Sequence, residues 1–144
     1  MGLFSKAKKV NVEKVALVTE LLKLAQQLIA RDADNFYGLT VHALSNDYDP
    51  VIFKNASKVL VKLQYCGSSI PWEWQQEGYA AYEVFKATFK MFNEEDGNHS
   101  FCFNVDFNDE DDVTAILNAA LQNAGFDSID EKQYRLSKSF YQKL

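Results

Sequence analysis

The densest group of chemically capable side chains lies in residues 103–112, which read FNVDFNDEDD. Its carboxylates are Asp106, Asp109, Glu110, Asp111 and Asp112. Carboxylates at this spacing could bind a metal ion, act as a catalytic acid and base, start a helix, or present negative charge to a basic partner. Each of these uses requires a different pattern in the residues around them.

A calcium site in this run fails on spacing. A loop of the EF-hand type requires glycine at its sixth position and glutamate at its twelfth. A loop that starts at Asn104 has Asp109 at the sixth position and Ala115 at the twelfth. A loop aligned on Gly97 would start at Phe92, which cannot bind calcium. We therefore expect no calcium site here.

The histidines and cysteines are too scattered for zinc, which takes four ligands at short spacing. They are His42, Cys66, His99 and Cys102. The chain has no G-x-S-x-G motif and no glycine-rich phosphate loop. We interpret both cysteines as reduced, small hydrophobic residues, and predict no metal, no cofactor and no catalytic residue. A small enzyme whose Cys/His or carboxylate site is assembled only by the fold is the alternative.

Part of the acidity in residues 103–112 has a structural explanation. Asp109 or Asn108 is expected to cap a helix, and Asp111 and Asp112 are expected to complement the positive end of its dipole. Capping employs one or two carboxylates, so the others need a second explanation.

Residues 91–131 contain no lysine or arginine, although they contain many acids. Such a segment repels nucleic acid and attracts a basic protein surface. A second candidate contact surface is PWEWQQEGYAAY, residues 71–82, because tryptophan is a frequent interface anchor. The predicted partner-binding residues are Trp72, Glu73, Trp74, Glu77, Glu94, Glu95, Asp96, Glu110 and Asp112.

The bulk properties place these side chains in one domain. The chain has 144 residues, of which 47% are hydrophobic, and a net charge of −5. Residues 1–10 are expected to form a flexible basic arm, and residues 11–144 a single domain. No apolar run approaches the ~18 residues of a membrane span. Two cysteines do not make a disulfide framework, so we expect a cytoplasmic protein.

Hydrophobic periodicity predicts the elements that must position these residues. Helices are expected at residues 11–32, from Pro50 to about Cys66, at 72–92 and at 109–124, and strands at 36–45 and 100–107. After Asp130 we expect a strand in preference to a short helix. Asn11 should cap the first helix, whose apolar stripe is assigned to packing within the chain. Two such strand–helix units predict an α+β fold, with about four helices on a small antiparallel sheet of ferredoxin-like units.

The segment from the first helix through HALSND to KLQYCG resembles the start of the bacterial ribonuclease E inhibitor B family. The shared pattern is His42-x-Leu44-Ser45-x-Asp47, followed by Ala56 and Tyr65 in the next helix. It covers about a third of the chain, and the long acidic C-terminal tail of the family has no counterpart in this sequence. Size and charge also resemble those of small acidic immunity proteins. Both resemblances imply an inhibitor that binds a nuclease or another toxic enzyme.

Together these observations favour a small acidic protein, a monomer or weak homodimer, that binds a basic protein such as a toxin or nuclease. Nucleic acid and membrane are not expected as partners. Inhibition would come from carboxylates that block a cationic site. Two other functions stay open: the small enzyme, and a dimeric adaptor or secretion chaperone that pairs through its first helix.

Overall fold

The computed structural model describes residues 8–66, 81–82, 87–93 and 98–144 of the chain. Three α-helices occur in this described part: α1 (Val12–Arg31), α2 (Val113–Asn123) and α3 (Glu131–Ser137). Its strands are β1 (Phe36–Leu44), β2 (Lys58–Cys66), β3 (Ala81–Tyr82), β4 (Ala87–Asn93), β5 (Asn98–Asp106) and β6 (Phe140–Lys143). Short 3-10 turns occur at Ala33–Asn35 and Phe53–Asn55.

The strands form one sheet in the order β3-β4-β5-β2-β1-β6, with antiparallel pairing throughout. The predicted α+β class with an antiparallel sheet is therefore confirmed. β2 is paired with β1 on one side and with β5 on the other, so Val61 lies between Val41 and Phe103. The centre of the sheet thus depends on contacts between residues that are distant in the sequence.

Alternating burial along β2 shows which face of the sheet carries the core. Val59, Val61, Leu63 and Tyr65 are each at most 3% exposed, whereas the residues between them are partly exposed. The apolar side chains of α1 and α2 belong to the same buried cluster, and the two helices contact each other. This alternation is expected for an antiparallel sheet with helices on one face.

α1 forms where the sequence predicts it, with the predicted cap. The Asn11 side chain accepts hydrogen bonds from the amides of Glu13 at 3.1 Å and Lys14 at 3.3 Å. The residues of its apolar stripe that are at most 1% exposed are Leu17, Val18, Leu21, Leu22, Ala25 and Leu28. The assignment of this stripe to packing within the chain is confirmed.

The helix predicted from Pro50 to Cys66 is wrong, because this segment contains a 3-10 turn and then β2. Val59 and Leu63 fit both a helical stripe and a strand alternation, so local periodicity does not distinguish the two. Pairing with neighbours on both sides satisfies the backbone of β2 in the sheet. The first predicted strand–helix unit is therefore a pair of antiparallel strands, with Tyr65 in β2, and the ferredoxin-like arrangement is not confirmed.

Part of the helix predicted over residues 72–92 is also wrong. Ala87–Asn93 is strand β4 and Ala81–Tyr82 is strand β3. The rest of that predicted helix lies outside the described residues. Within residues 87–93, the aromatic spacing that predicted a helix is overridden by the pairing of β4 with β5, in which Phe89 lies opposite Phe103.

The C-terminal segment contains a helix as well as a strand. α3 follows Asp130, whose side chain accepts hydrogen bonds from the amides of Lys132 and Gln133. The helix ends at Lys138, which has the left-handed conformation, and β6 then pairs with β1. The preference for a strand is wrong over α3, because this N-cap and the burial of Tyr134 outweigh the local alternation.

Phe103 is 1% exposed in the core face of β5, and its neighbour Asn104 is exposed. Phe103→Ala should lower the free energy of unfolding by ~3–5 kcal/mol, because it removes buried area and leaves a cavity. Asn104→Ala, on the same strand, should change it by less than ~0.5 kcal/mol. Urea denaturation of both variants measures the difference. A loss below ~1 kcal/mol for Phe103→Ala would contradict this face assignment. The periodicity of residues 72–92 also predicts a core position for Phe85, which lies outside the described residues.

Candidate functional site

Most of the residues predicted to bind a partner lie outside the described part of the chain. They are Trp72, Glu73, Trp74, Glu77, Glu94, Glu95 and Asp96. Glu110 and Asp112 are described, and both lie between β5 and α2. Residues 106–112, which we name the acidic loop, therefore form the candidate site within the described part of the chain.

The sheet and the core fix the start of the acidic loop. Asp106 is the last residue of β5 and has an exposed side chain. Phe107 is 7% exposed, and its amide donates a hydrogen bond to the Ser57 carbonyl at 2.8 Å. A turn follows, closed by the Asp111 amide, which donates to the Asn108 carbonyl at 3.0 Å. These bonds leave the loop backbone little freedom to rearrange.

Asp111 is the buried acid of the loop, with an exposure of 1%. One carboxylate oxygen accepts a hydrogen bond from the Asn108 amide at 2.9 Å, and the other accepts from the side-chain amide of Asn11 at 3.3 Å. Asn11 is also the cap of α1, so a single asparagine connects the start of α1 with the loop before α2. Both oxygens of the buried Asp111 side chain therefore have a hydrogen-bond donor.

Asp112 is the N-cap of α2, so the prediction that Asp109 or Asn108 caps this helix is wrong. The Asp112 carboxylate accepts a hydrogen bond from the Ala115 amide at 3.1 Å. The position of Asp112 in the sequence indicates this cap, because Asp112 directly precedes Val113, the first buried residue of the helix. The Asp112 carboxylate is therefore committed to the cap and only partly exposed.

The end of the predicted flexible arm lies against the acidic loop. The Lys9 amide donates to the Glu110 carbonyl at 2.9 Å, and the Lys9 carbonyl accepts from the Asp112 amide at 2.8 Å. These two bonds belong to a parallel β-bridge. The Lys9 ammonium lies 3.7 Å from the Glu110 carboxylate, and the Lys8 ammonium donates to the Asp109 carbonyl. Basic residues thus contact a segment that has none of its own.

Two further lysines reach the acidic loop from α1 and β2. Lys14 donates to the Asp106 carbonyl and lies 5.7 Å from the centre of the Phe107 ring. Lys58 lies 3.9 Å from the Asp106 carboxylate and donates to the Tyr48 hydroxyl at 3.1 Å. The hydrogen bond to Tyr48, together with the Asp106 charge, raises the pKa of Lys58. These cations reduce the repulsion among the loop carboxylates.

Three carboxylates of the loop remain at the surface, and two of them, Asp109 and Glu110, line an open cavity. The side chains of Asp106 and Glu110 are 79% and 44% exposed, and Asp109 is exposed as well. The cavity has a volume of about 360 Å³ and is lined by Lys8, Asn108, Asp109 and Glu110. Within the described ranges, no three histidine, cysteine, aspartate or glutamate side chains are grouped so as to hold a metal ion. The arrangement suits contact with a positively charged surface.

The fold separates the histidine and the cysteines whose side chains are described. His42 on β1 lies opposite Leu60 on β2, and Cys66 lies at the far end of β2, about 20 Å away at the rise of a strand. Cys102 lies on β5, with β2 between it and His42. Cys102 is buried and Cys66 is exposed. The described residues therefore contain no Cys/His pair, and the His99 side chain lies outside them.

Comparison with known proteins gives no match to a family model, a curated protein or a solved structure. Among the described helices, none combines the length and the apolar character needed to cross a bilayer.

His42 gives the fold a pH dependence with a definite sign. Burial, reinforced by the nearby Lys62 charge, lowers the pKa of this imidazole below its usual value of 6.5. The unfolded chain takes up the proton at the ordinary pKa, whereas the folded protein resists it. The contribution of His42 to stability should therefore be complete above about pH 6.5 and be lost as the pH falls toward the lower folded value.

The His42 prediction is tested by melting temperatures at about pH 7.5 and pH 5.5. The chain has two histidines, so a His99→Gln background leaves His42 as the only imidazole. Adding His42→Gln to that background should make the fall in melting temperature on acidification smaller. An equal fall in both proteins would show that His42 is not the titrating group.

Proposed function

We propose that this protein is a small acidic cytoplasmic binding protein that inhibits a toxic enzyme, of the nuclease type, by covering its cationic site. The main support is the division of roles within the acidic loop. Asp111 and Asp112 hold the loop from inside through hydrogen bonds. Asp106, Asp109 and Glu110 carry their carboxylates on its outside. Negative charge is thus presented by a backbone that is already ordered.

A fixed set of exposed carboxylates suits a basic partner for two physical reasons. An ordered loop loses little conformational entropy on binding, so more of the interaction energy contributes to affinity. Negative potential also accelerates encounter with a positive surface, most strongly at low ionic strength. The net charge of −5 acts in the same direction and disfavours nucleic acid as a partner.

The resemblance to the ribonuclease E inhibitor B family and to small immunity proteins supports the same proposal, because both kinds of protein act as inhibitors. Four of the residues that carry the resemblance to the ribonuclease E inhibitor B family lie in β1 and directly after it. His42 and Leu44 lie on β1, and Ser45 and Asp47 lie in the turn that follows it.

The two alternative functions receive less support from the described residues. A small enzyme requires a deep polar pocket with a histidine or a pair of carboxylates. The cavity beside the acidic loop is open, and His42 does not line it. A dimeric adaptor requires an apolar stripe on the surface of its first helix, whereas the α1 stripe is buried in the core of its own chain. A monomer or weak homodimer therefore remains part of the proposal.

The proposal is tested by removing the outer charges of the loop. The loop variant, Asp106→Asn/Asp109→Asn/Glu110→Gln, leaves Asp111 and Asp112 in place. A control variant neutralises three exposed carboxylates elsewhere, in Glu20→Gln/Asp47→Asn/Asp127→Asn. Both variants have the same formal net charge, so only the position of the removed charges differs between them.

The partner would be captured with the wild-type protein, identified, and purified for kinetics and for an activity assay. We expect the loop variant to associate about tenfold more slowly than the control at low salt, and at a similar rate at high salt, where charge is screened. The partner should be an enzyme that loses its activity at a 1:1 ratio. Equal association rates of the two variants at low salt, or a partner that stays active, would contradict the proposal.

A further inference from the structure

We propose that residues 8–10 are a built-in occupant of the acidic loop, and that the partner contacts the loop with an extended basic segment that replaces them. This inference rests on the proposed function, because it specifies the partner surface and how access to the loop is controlled. Its starting point is that a basic segment is seen bound to the loop, in the form of the chain's own arm.

The arm is held to the loop by backbone groups as well as by charge. The Glu110 carbonyl accepts from the Lys9 amide at 2.9 Å, and the Asp112 amide donates to the Lys9 carbonyl at 2.8 Å. Backbone pairing of this kind does not depend on side-chain identity, and many proteins use it to bind extended peptides. Another extended segment that brings an amide and a carbonyl to these two groups can take the place of the arm.

The side chains around this pairing select a basic segment. The Lys9 ammonium lies 3.7 Å from the Glu110 carboxylate, and the Lys8 ammonium donates to the Asp109 carbonyl. The Asp106 carboxylate lies at the start of the same loop and is 79% exposed. A neutral or acidic segment could form the backbone pairing but would lose these favourable charge contacts. Lysine or arginine next to the pairing residue is therefore the expected feature of the partner.

The arm contact is weak enough to be displaced. The Lys9 side chain is 65% exposed, Val10 is 50% exposed, and Lys8 is exposed as well. Exposed ion pairs contribute little to stability, and segments with few buried contacts open at low free energy. Asn11 is held by Asp111 and by the first turn of α1, so opening should stop at this residue.

The arm should act as a competitor of the partner. Because the arm and the loop belong to one chain, the arm is present at a high effective concentration. The apparent affinity of the loop for a basic segment is therefore lower than it would be with the arm removed. Weakening the arm contact should raise the affinity for a basic peptide without any change in the loop itself.

The test uses the full chain and a decalysine peptide as the probe. The arm variant is Lys8→Gln/Lys9→Gln, and its control is Lys23→Gln/Lys54→Gln, which removes two exposed lysines elsewhere. A further variant, Lys9→Pro, removes the amide that donates to Glu110. We expect decalysine to bind the arm variant and Lys9→Pro about fivefold more tightly than the control at low salt. The Asp112 amide should exchange faster in both variants, and the peptide should protect it.

Any one of the following three results would contradict the inference that the arm competes with a basic segment for the acidic loop. Equal affinities of the arm variant, Lys9→Pro and the control would show that the arm does not compete. No binding of decalysine to a variant whose arm has been released would show that the loop does not take a basic segment. Tighter binding that persists in an Asp106→Asn/Asp109→Asn/Glu110→Gln background would place the peptide elsewhere. The proposed function is tested separately by the captured partner, so the two failures are distinguishable.

Discussion

The contact between Asn11 and Asp111 is the interaction on which the candidate site depends. The oxygen of the Asn11 side chain caps α1, and its nitrogen donates to the Asp111 carboxylate at 3.3 Å. The same carboxylate holds the Asn108 amide at 2.9 Å. A buried carboxylate needs such donors, so the pair fixes the starts of α1 and α2 relative to each other.

The fold, more than the local sequence, determines which positive charges surround the acidic loop. Lysines from separate parts of the chain approach it, namely Lys9 from the arm, Lys14 from α1 and Lys58 from the start of β2. Exposed contacts of this kind add little stability, but they set what a partner must displace. The basic partner that we propose would therefore compete with the protein's own cations, and this competition would favour partners that provide backbone pairing in addition to charge.

Local patterns predict α1, β1, β5 and α2, because each has one apolar periodicity. The segment of β2 is different, since Val59 and Leu63 fit a helix and a strand equally well, and pairing with the distant β5 decides between them. Asp112 caps α2 because it directly precedes Val113, the first buried residue of that helix, whereas Asp111 holds the loop. Several acids stand in a row here, so the cap can be assigned only when the start of the helix is known. The contact of Lys8 with the loop joins residues separated by 101 positions, and no local signal predicts it.

A double-mutant cycle measures the coupling energy between the side chains of Asn11 and Asp111. The free energy of unfolding is measured for the wild type, Asn11→Ala, Asp111→Ala and the double variant. A parallel cycle with Asp109→Ala is the control, because the Asp109 side chain is exposed. We expect a coupling of ~1 kcal/mol or more between Asn11 and Asp111, and a coupling near zero between Asn11 and Asp109. Additive effects of Asn11→Ala and Asp111→Ala would show that this contact does not organise the acidic loop.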